Sequence, residues 1–401
     1  MQLKPDTLAM TVLLALMTAL GPLSTDMYLP SLPDMVVLLG ASVSRIQLTL
    51  SLCLVGFALG QILYGPLSDR YGRRPVLLAS LVVFTLASAA CAASTSVEPL
   101  IAARFAQALG AAGGVVIARA IVRDLYAASR AGQELALMGT IMGVVPLMAP
   151  SLGAVLHEAF GWRSNFAVMV VMGIAAVAFI RGALPETLKP EHVRPATAGS
   201  IGRDFLALLS HPAYRVYLVF ACCAYGGLFS FLSASSFVLQ EVYGLSPRGF
   251  GIAFAGTVFG YIIGTIVGRR MTRARGIDAT IAAGVAVLAL AGWSAIVLTE
   301  TVAPGAGVWR ILLPATAYFL GVGLVLPQSM AGALTPFPER AGTASSLLGF
   351  TQMSFAAILG IIVAAWLGDS ARSLAIALAA MGSAAVIAHV ATRSLRRAAP
   401  V

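Results

Sequence analysis

Twelve stretches of apolar sequence follow one another along the chain, each long enough to cross a lipid bilayer. They lie near residues 8–30, 45–65, 75–95, 99–121, 134–156, 163–183, 215–238, 249–268, 277–299, 308–332, 343–367 and 373–392. The hydrocarbon core offers no water to a peptide group, so a segment that crosses it must satisfy its own backbone. Apolar runs of about twenty residues do so as α-helices. The predicted fold class is therefore all-α, a polytopic membrane protein of twelve transmembrane helices. A composition of 59% hydrophobic and 10% charged residues excludes the reading of 401 residues as two or three soluble domains.

The net charge of +10 raises nucleic acid as a partner. The arginines lie in short connections between apolar runs and form no clustered basic domain, so no nucleic-acid partner is expected and the partner is the bilayer itself. Placing both termini on one side puts 20 of the 26 Lys and Arg on that side, helix-end residues included. The positive-inside rule makes that side cytoplasmic. The chain is expected to be a multi-pass membrane protein with both termini cytoplasmic. The first apolar run has one preceding lysine and no convincing cleavage site, so it is read as a retained helix rather than a signal peptide.

The longest connection, 184–214, begins Leu184-Pro185-Glu186-Thr187-Leu188-Lys189-Pro190 and falls after the sixth run. It divides the chain into a six-helix bundle at 1–183, a cytoplasmic linker at 184–214 and a second six-helix bundle at 215–401. Within the linker, Asp204–Leu209 is apolar enough for a short helix on the membrane surface. Basic, glycine-bounded turns occupy matching places in the two halves, Gly65–Pro75 after the second run and Gly268–Gly276 after the eighth. Together with the linker they suggest related bundles around a central cavity.

Several chemistries drop out. Cys53, Cys91, Cys222 and Cys223 sit inside apolar runs without metal-ligand spacing, and the four histidines are scattered, so no metal site is expected. No nucleophile and base fall together, so the chain is not read as an enzyme. A phosphate-binding loop needs Lys followed by Ser or Thr, but both lysines, Lys4 and Lys189, precede proline. No cofactor is expected, and an ion gradient remains as the energy source.

Two charges break the apolar pattern. Asp26 ends the run that leads through Leu23-Ser24-Thr25, and Arg104 lies in the fourth run. The first helix runs outward and the fourth inward, which brings the two to similar depth. Each costs at least about 2.5–3.5 kcal/mol within a bilayer, so two at one level point to a cavity, a pairing or both. Burial and the neighbouring cation pull the Asp26 proton in opposite directions, so an arriving substrate can tip the balance. Asp26 and Arg104 are the proton-coupling candidates, and Asp34 assists if the first helix extends further.

The fifth run holds Gly143, Pro146, Pro150 and Gly153, where glycines permit close helix approach and prolines free carbonyls and allow a kink. Aromatic and amide groups offer an apolar, loosely specific substrate pocket: Tyr28, Gln107, Tyr225, Phe229, Phe231, Gln328 and Gln352. Between the second and third runs, Gly65, Asp69, Arg70, Gly72, Arg73 and Arg74 form a charged tight turn at the membrane surface.

That turn resembles the loop 2–3 signature of the major facilitator superfamily, G-x-x-x-D-R-x-G-R-R, and the resemblance covers nearly the whole chain. Asp26 within Leu23–Pro30, Arg104 within Arg104–Gly110 and the Pro146/Pro150 segment are similar to its drug-proton antiporters. Arg119–Tyr126 and Ala341–Ser346 narrow the likeness to the bicyclomycin-resistance (Bcr/CflA) branch. The resemblance implies a monomer in a bacterial inner membrane that works by alternating access, with a proton on the helix 1 acid exchanged for a small, mostly apolar antimicrobial such as bicyclomycin, a phenicol or a sulfonamide. It makes the fifth-run pattern an antiporter motif and the turn a gate. In that gate Asp69 faces the start of the eleventh helix near Gly342-Thr343, and Arg70 or Arg74 pairs with Asp124. The second-half turn, Gly268–Gly276, departs by lacking an aspartate. Export of an amino acid or sugar, with drugs incidental, is the alternative, and a non-transporting receptor or scaffold is a third reading.

Overall fold

The computed structural model describes residues 7–126, 128–188, 198–301, 307–337, 340–366 and 371–393. Among them the chain is helical throughout, without strands. In the first part the helices are α1 (Leu8–Asp26), α2 (Leu32–Leu38), α3 (Val43–Tyr71), α4 (Arg73–Ala93), α5 (Val97–Leu125), α6 (Ala128–Phe160) and α7 (Arg163–Ala183). After these come α8 (Ala198–Ser210), α9 (Pro212–Phe237), α10 (Pro247–Thr301), α11 (Trp309–Leu334), α12 (Ala341–Trp366) and α13 (Arg372–Ala391).

Eleven of the described segments are long and apolar enough to cross a membrane. One of them, α10, is 55 residues long and breaks at Gly276, where φ is +84°. Its two arms are each of spanning length, so the twelve expected crossings are present. Residues 189–197 of the expected linker lie outside the described residues.

Prolines decide where the first span bends. Pro30 has no N–H to give the carbonyl of Asp26, so α1 ends at Asp26. A 3-10 turn, Leu29–Ser31, and α2 then carry the same span on to Leu38. The span therefore runs beyond the expected end at 30, and it includes Asp34. Connections elsewhere are shorter than the hydropathy pattern suggests. Residues 65–71 are the last turns of α3, and the true turn is Gly72 alone. With 29 residues at about 1.5 Å each, α3 outreaches a hydrocarbon core of about 30 Å, and its charged end continues as helix in the polar layer.

The chain forms two compact units, one up to Ala198 and one from Gly199. In the first, α5 packs against α1, α3 and α4, α4 against α7, and α1 against α6. Its apolar centre includes Met17, Phe84, Ile117 and Met169. In the second, α10 packs against α11 and α13, and α9 against α11, α12 and α13. The surface pattern suits a lipid solvent: Leu86, Val171 and Ile387 are exposed, whereas Gln47, Ser88, Arg104 and Gln107 are fully buried. In α8, a helix longer than the expected Asp204–Leu209, Leu206 and Leu209 are exposed and Leu208 is buried.

Candidate functional site: a buried charge centre and a clamped helix corner

Asp26 is the only buried carboxylate among the described residues, 5% exposed. It stands at the broken end of α1, and Arg104 of α5, fully buried, reaches the same end. The last carbonyls of a helix lack intrahelical donors. Arg104 Nη1 donates to one of them, Ser24 O, at 2.8 Å, and also to Gln107 Oε1. Gln107 Nε2 passes the chain on to Ser88 Oγ of α4 at 2.8 Å. One guanidinium therefore ties α1, α5 and α4 together.

Aromatic faces complete the setting. The Arg104 guanidinium lies 4.3 Å from the Tyr28 ring centroid and 5.6 Å from that of Phe166 on α7. The two rings are themselves 5.6 Å apart. Tyr28 is oriented from its far end: Thr49 Oγ1 donates to Ile46 O, so the Tyr28 hydroxyl donates to Thr49 Oγ1, at 2.6 Å. Two Arg104 groups, Nε and Nη2, have no hydrogen-bond partner. The guanidinium is thus held by one edge and two rings, with N–H donors left over beside a buried acid. Its charge acts on the Asp26 carboxylate without a direct ion pair between them.

On the other side of α1, Gly153 of α6 meets the carbonyl of Met27, the residue after Asp26; a Cβ there would overlap that carbonyl. Gly143, by contrast, faces open space. Pro150 is buried and Pro146 half-buried on the same helix. The four residues of the fifth-run motif are therefore not equivalent: Gly153 sets how closely α6 approaches the acid. Asp34 is held elsewhere, 2.6 Å from His157 Nε2 of α6, and it tethers α2 rather than joining Asp26.

At the opposite end of the unit, the charged turn is a clamp built on Arg73. Its guanidinium donates to Asp69 Oδ1, to Ser68 Oγ at 2.8 Å and to Asp124 Oδ2 at 2.9 Å. Asp124 pairs with Arg73, not with Arg70 or Arg74 as expected. The reason is direction: Gly72 adopts φ +99°, which folds α4 back so that Arg73, its first residue, points into the α3–α5 corner. Arg70 instead lies 5.1 Å from the Tyr71 ring centroid, and Arg74 Nη2 donates to Arg181 O at 2.6 Å.

Sequence reasoning missed Glu186. Its carboxylate accepts from the backbone N–H groups of Arg73 at 2.9 Å and Arg74 at 3.1 Å, the free donors at the start of α4. It also accepts from Thr187 and Leu188 N–H, both at 2.9 Å, while Thr187 Oγ1 reaches Asp124 Oδ2 at 3.3 Å. The acid after Pro185 was the available signal. Phe166, Thr49 and Ser88 were missed as well, because nothing local marks them.

In the second unit the expected pocket residues are spread over α9, α11 and α12. Phe231 is packed against Phe319 at 5.3 Å and Phe254 at 6.0 Å, inside a ring stack. Phe229 is buried and Tyr225 half-buried. Gln328 and Gln352 are buried, and Gln352 Oε1 has no hydrogen-bond partner. Gly65 lies in the last turns of α3, with open space around it.

A sequence model of the Major Facilitator Superfamily matches residues 14–361. The chain is 35% identical over 369 residues to the uncharacterized MFS-type transporter YdgK of Bacillus subtilis, covering 89% of each. It is 30% identical over 393 residues to the bicyclomycin resistance protein homolog of Haemophilus influenzae, covering 98% of this chain and 97% of the relative. It is also 33% identical over 349 residues to a chloramphenicol resistance protein of Pseudomonas aeruginosa, covering 85% and 80%. Among solved structures, a mutant of the nucleoside transporter NupG superposes with a TM-score of 0.74 over 96% of this chain and 99% of that one, at 13% identity, a likeness of fold. Membrane-length helices, a charged α3–α4 corner and a family match across most of the sequence converge: the chain belongs to the major facilitator superfamily.

Proposed function

We propose that this protein is a proton-coupled exporter of small, mostly apolar antimicrobials, with Asp26 carrying the proton. The observation that carries the reading is the one buried carboxylate among the described residues, placed at a helix break beside the half-satisfied Arg104. A carboxylate in such a site exchanges its proton when the surrounding polarity changes. Relatives named for bicyclomycin and chloramphenicol resistance support a drug as the cargo. The bulk of the arginines on the side of the termini supports a cytoplasmic location for both.

In this reading the protein works by alternating access, and the Arg73 clamp holds the first-half corner rigid. The acid releases its proton when drug binds and reloads when drug leaves. One proton moving down about 100 mV contributes about 2.3 kcal/mol. A further pH unit adds about 1.4 kcal/mol. Together these match a substrate gradient of a few hundredfold.

The experiment is drug-dependent proton movement in everted vesicles. Addition of bicyclomycin, a phenicol or a sulfonamide to energised vesicles dissipates the pH gradient, and an uncoupler abolishes drug accumulation. Accumulation that survives the uncoupler would sink the proposal. Proton movement driven by an amino acid or sugar, and by none of the drugs, would make the cargo a metabolite.

A further inference from the structure

At the end of the first unit away from the charged α3–α4 corner, α2 and α6 meet through Asp34 Oδ2 and His157 Nε2, 2.6 Å apart. The Asp34 side chain is 59% exposed and the His157 side chain 8%. A tether between two helices needs only one imidazole nitrogen. The other, Nδ1, is buried and has no hydrogen-bond partner, which leaves its desolvation uncompensated. We propose, resting on the antiport reading, that this pair is the proton entry to Asp26. Asp34 collects protons from outside water, and His157 hands them inward.

Position along α6 supports this. The helix touches the backbone beside the acid at Gly153, which lies against the Met27 carbonyl. His157 follows four residues later, so it stands on the same face about 6 Å further along, the length of about two hydrogen bonds. The corner after His157 supplies what such a step needs. Gly161 N–H donates to the His157 carbonyl, and the chain turns there into α7. On that turn Trp162 Nε1 and Asn165 Oδ1 are also buried without a hydrogen-bond partner. Asn165 Nδ2 donates at 3.3 Å to the hydroxyl of Ser31, a buried residue five beyond Asp26. An indole donor, an amide acceptor and an imidazole nitrogen on one corner are a set that holds a water, and a bonded water passes a proton. Of the other charges nearby, Glu158 is exposed, and the Arg163 guanidinium lies 4.3 Å from the Trp162 ring centroid and donates to the Ser94 carbonyl.

The proton transfer balances. With the ring proton on Nδ1, a proton taken up by Asp34 passes from Oδ2 to Nε2, and the imidazolium releases its Nδ1 proton through the water to the Asp26 carboxylate. One proton enters and one leaves, so the pair keeps its charge and Asp26 becomes neutral. The ring is left protonated on Nε2, and tautomer exchange resets it before the next turnover.

The test follows Asp26 itself and needs neither drug nor gradient. The full chain in lipid nanodiscs is jumped from alkaline to mildly acidic pH, and time-resolved infrared spectroscopy records the C=O stretch of the protonated carboxyl. Asp26→Asn identifies the Asp26 band. His157→Gln keeps an N–H for Asp34 but cannot relay a proton, so the band should reach its wild-type amplitude at least about tenfold more slowly. Asp34→Asn should slow it likewise. A purely structural pair would instead leave the rate of His157→Gln as in wild type. A rate unchanged in His157→Gln, whatever the amplitude, would overturn the proton entry and leave the antiport reading standing. A wild type without an Asp26-dependent band would overturn the antiport reading, and the entry with it.

Discussion

Arg104 bonds the carbonyl of Ser24, two residues before Asp26, and not the Asp26 carboxylate itself. A direct ion pair would hold the acid in its charged form and resist proton loading. By bonding the helix end, Arg104 fixes the position of the acid and acts on it through the interior. The acid remains able to change protonation state. Arg104→Gln should remove charge-assisted hydrogen bonds worth about 1.5–3 kcal/mol each and lower thermal stability accordingly. Drug-driven proton movement should fall at least about tenfold, the factor set by a loss of about 1.4 kcal/mol in coupling. Arg104→Lys keeps the charge but not the flat guanidinium that lies against the Tyr28 and Phe166 rings, and it should restore stability less than half-way.

The Tyr28 ring and its hydroxyl are separable. Tyr28→Phe removes the bond to Thr49, a cost of about 1 kcal/mol, and leaves the face under Arg104. Transport should survive. Tyr28→Leu also removes a cation–π contact worth up to about 2 kcal/mol when desolvated, and transport should fail. Growth in the presence of drug, with protein level measured alongside, separates the two outcomes.

Within the α6 motif, two glycines should respond oppositely. Gly153→Ala places a Cβ against the Met27 carbonyl and must push α6 away from the acid, whereas Gly143→Ala meets open space. Overpacking of this kind costs about 1–3 kcal/mol. Thermal unfolding and drug export should both drop for Gly153→Ala and stay near wild type for Gly143→Ala. The reverse order would show that the helix approach has no part in coupling.

Glu186 and Asp124 converge on Arg73 from opposite sides, one on its backbone and one on its guanidinium. Asp124→Asn should cost about 1.5–3 kcal/mol, since Arg73 keeps Asp69. Glu186→Gln should cost up to about 2 kcal/mol by removing an anion from the start of α4. A double-mutant cycle should give a coupling above about 0.5 kcal/mol, because both residues hold Arg73 and Thr187 links the Glu186 segment to Asp124. Strict additivity would mean that the corner is not one clamp.

Hydropathy made the span count legible, because each bilayer crossing imposes its length on the sequence. Asp26 and Arg104 were legible for the same reason: a charge in such a run stands out at once. Helix ends were less so. The stretch 65–75 reads as a loop because it is charged, yet charge only excludes the hydrocarbon core, and α3 continues through Asp69 and Arg70 as helix in the polar layer. The partner of Asp124 was misassigned because the φ of Gly72 decides which arginine faces it, and no periodicity encodes that angle. Glu186 and Phe166 meet the site from far along the chain, and their roles exist only once α7 has packed.

The central claim is that the proton released on drug binding comes from Asp26. Detergent-solubilised protein in weakly buffered solution with a pH indicator measures this directly. Wild type should release protons on addition of drug, and Asp26→Asn should bind drug with no release. Release undiminished in Asp26→Asn would contradict the account and move the proton to another group.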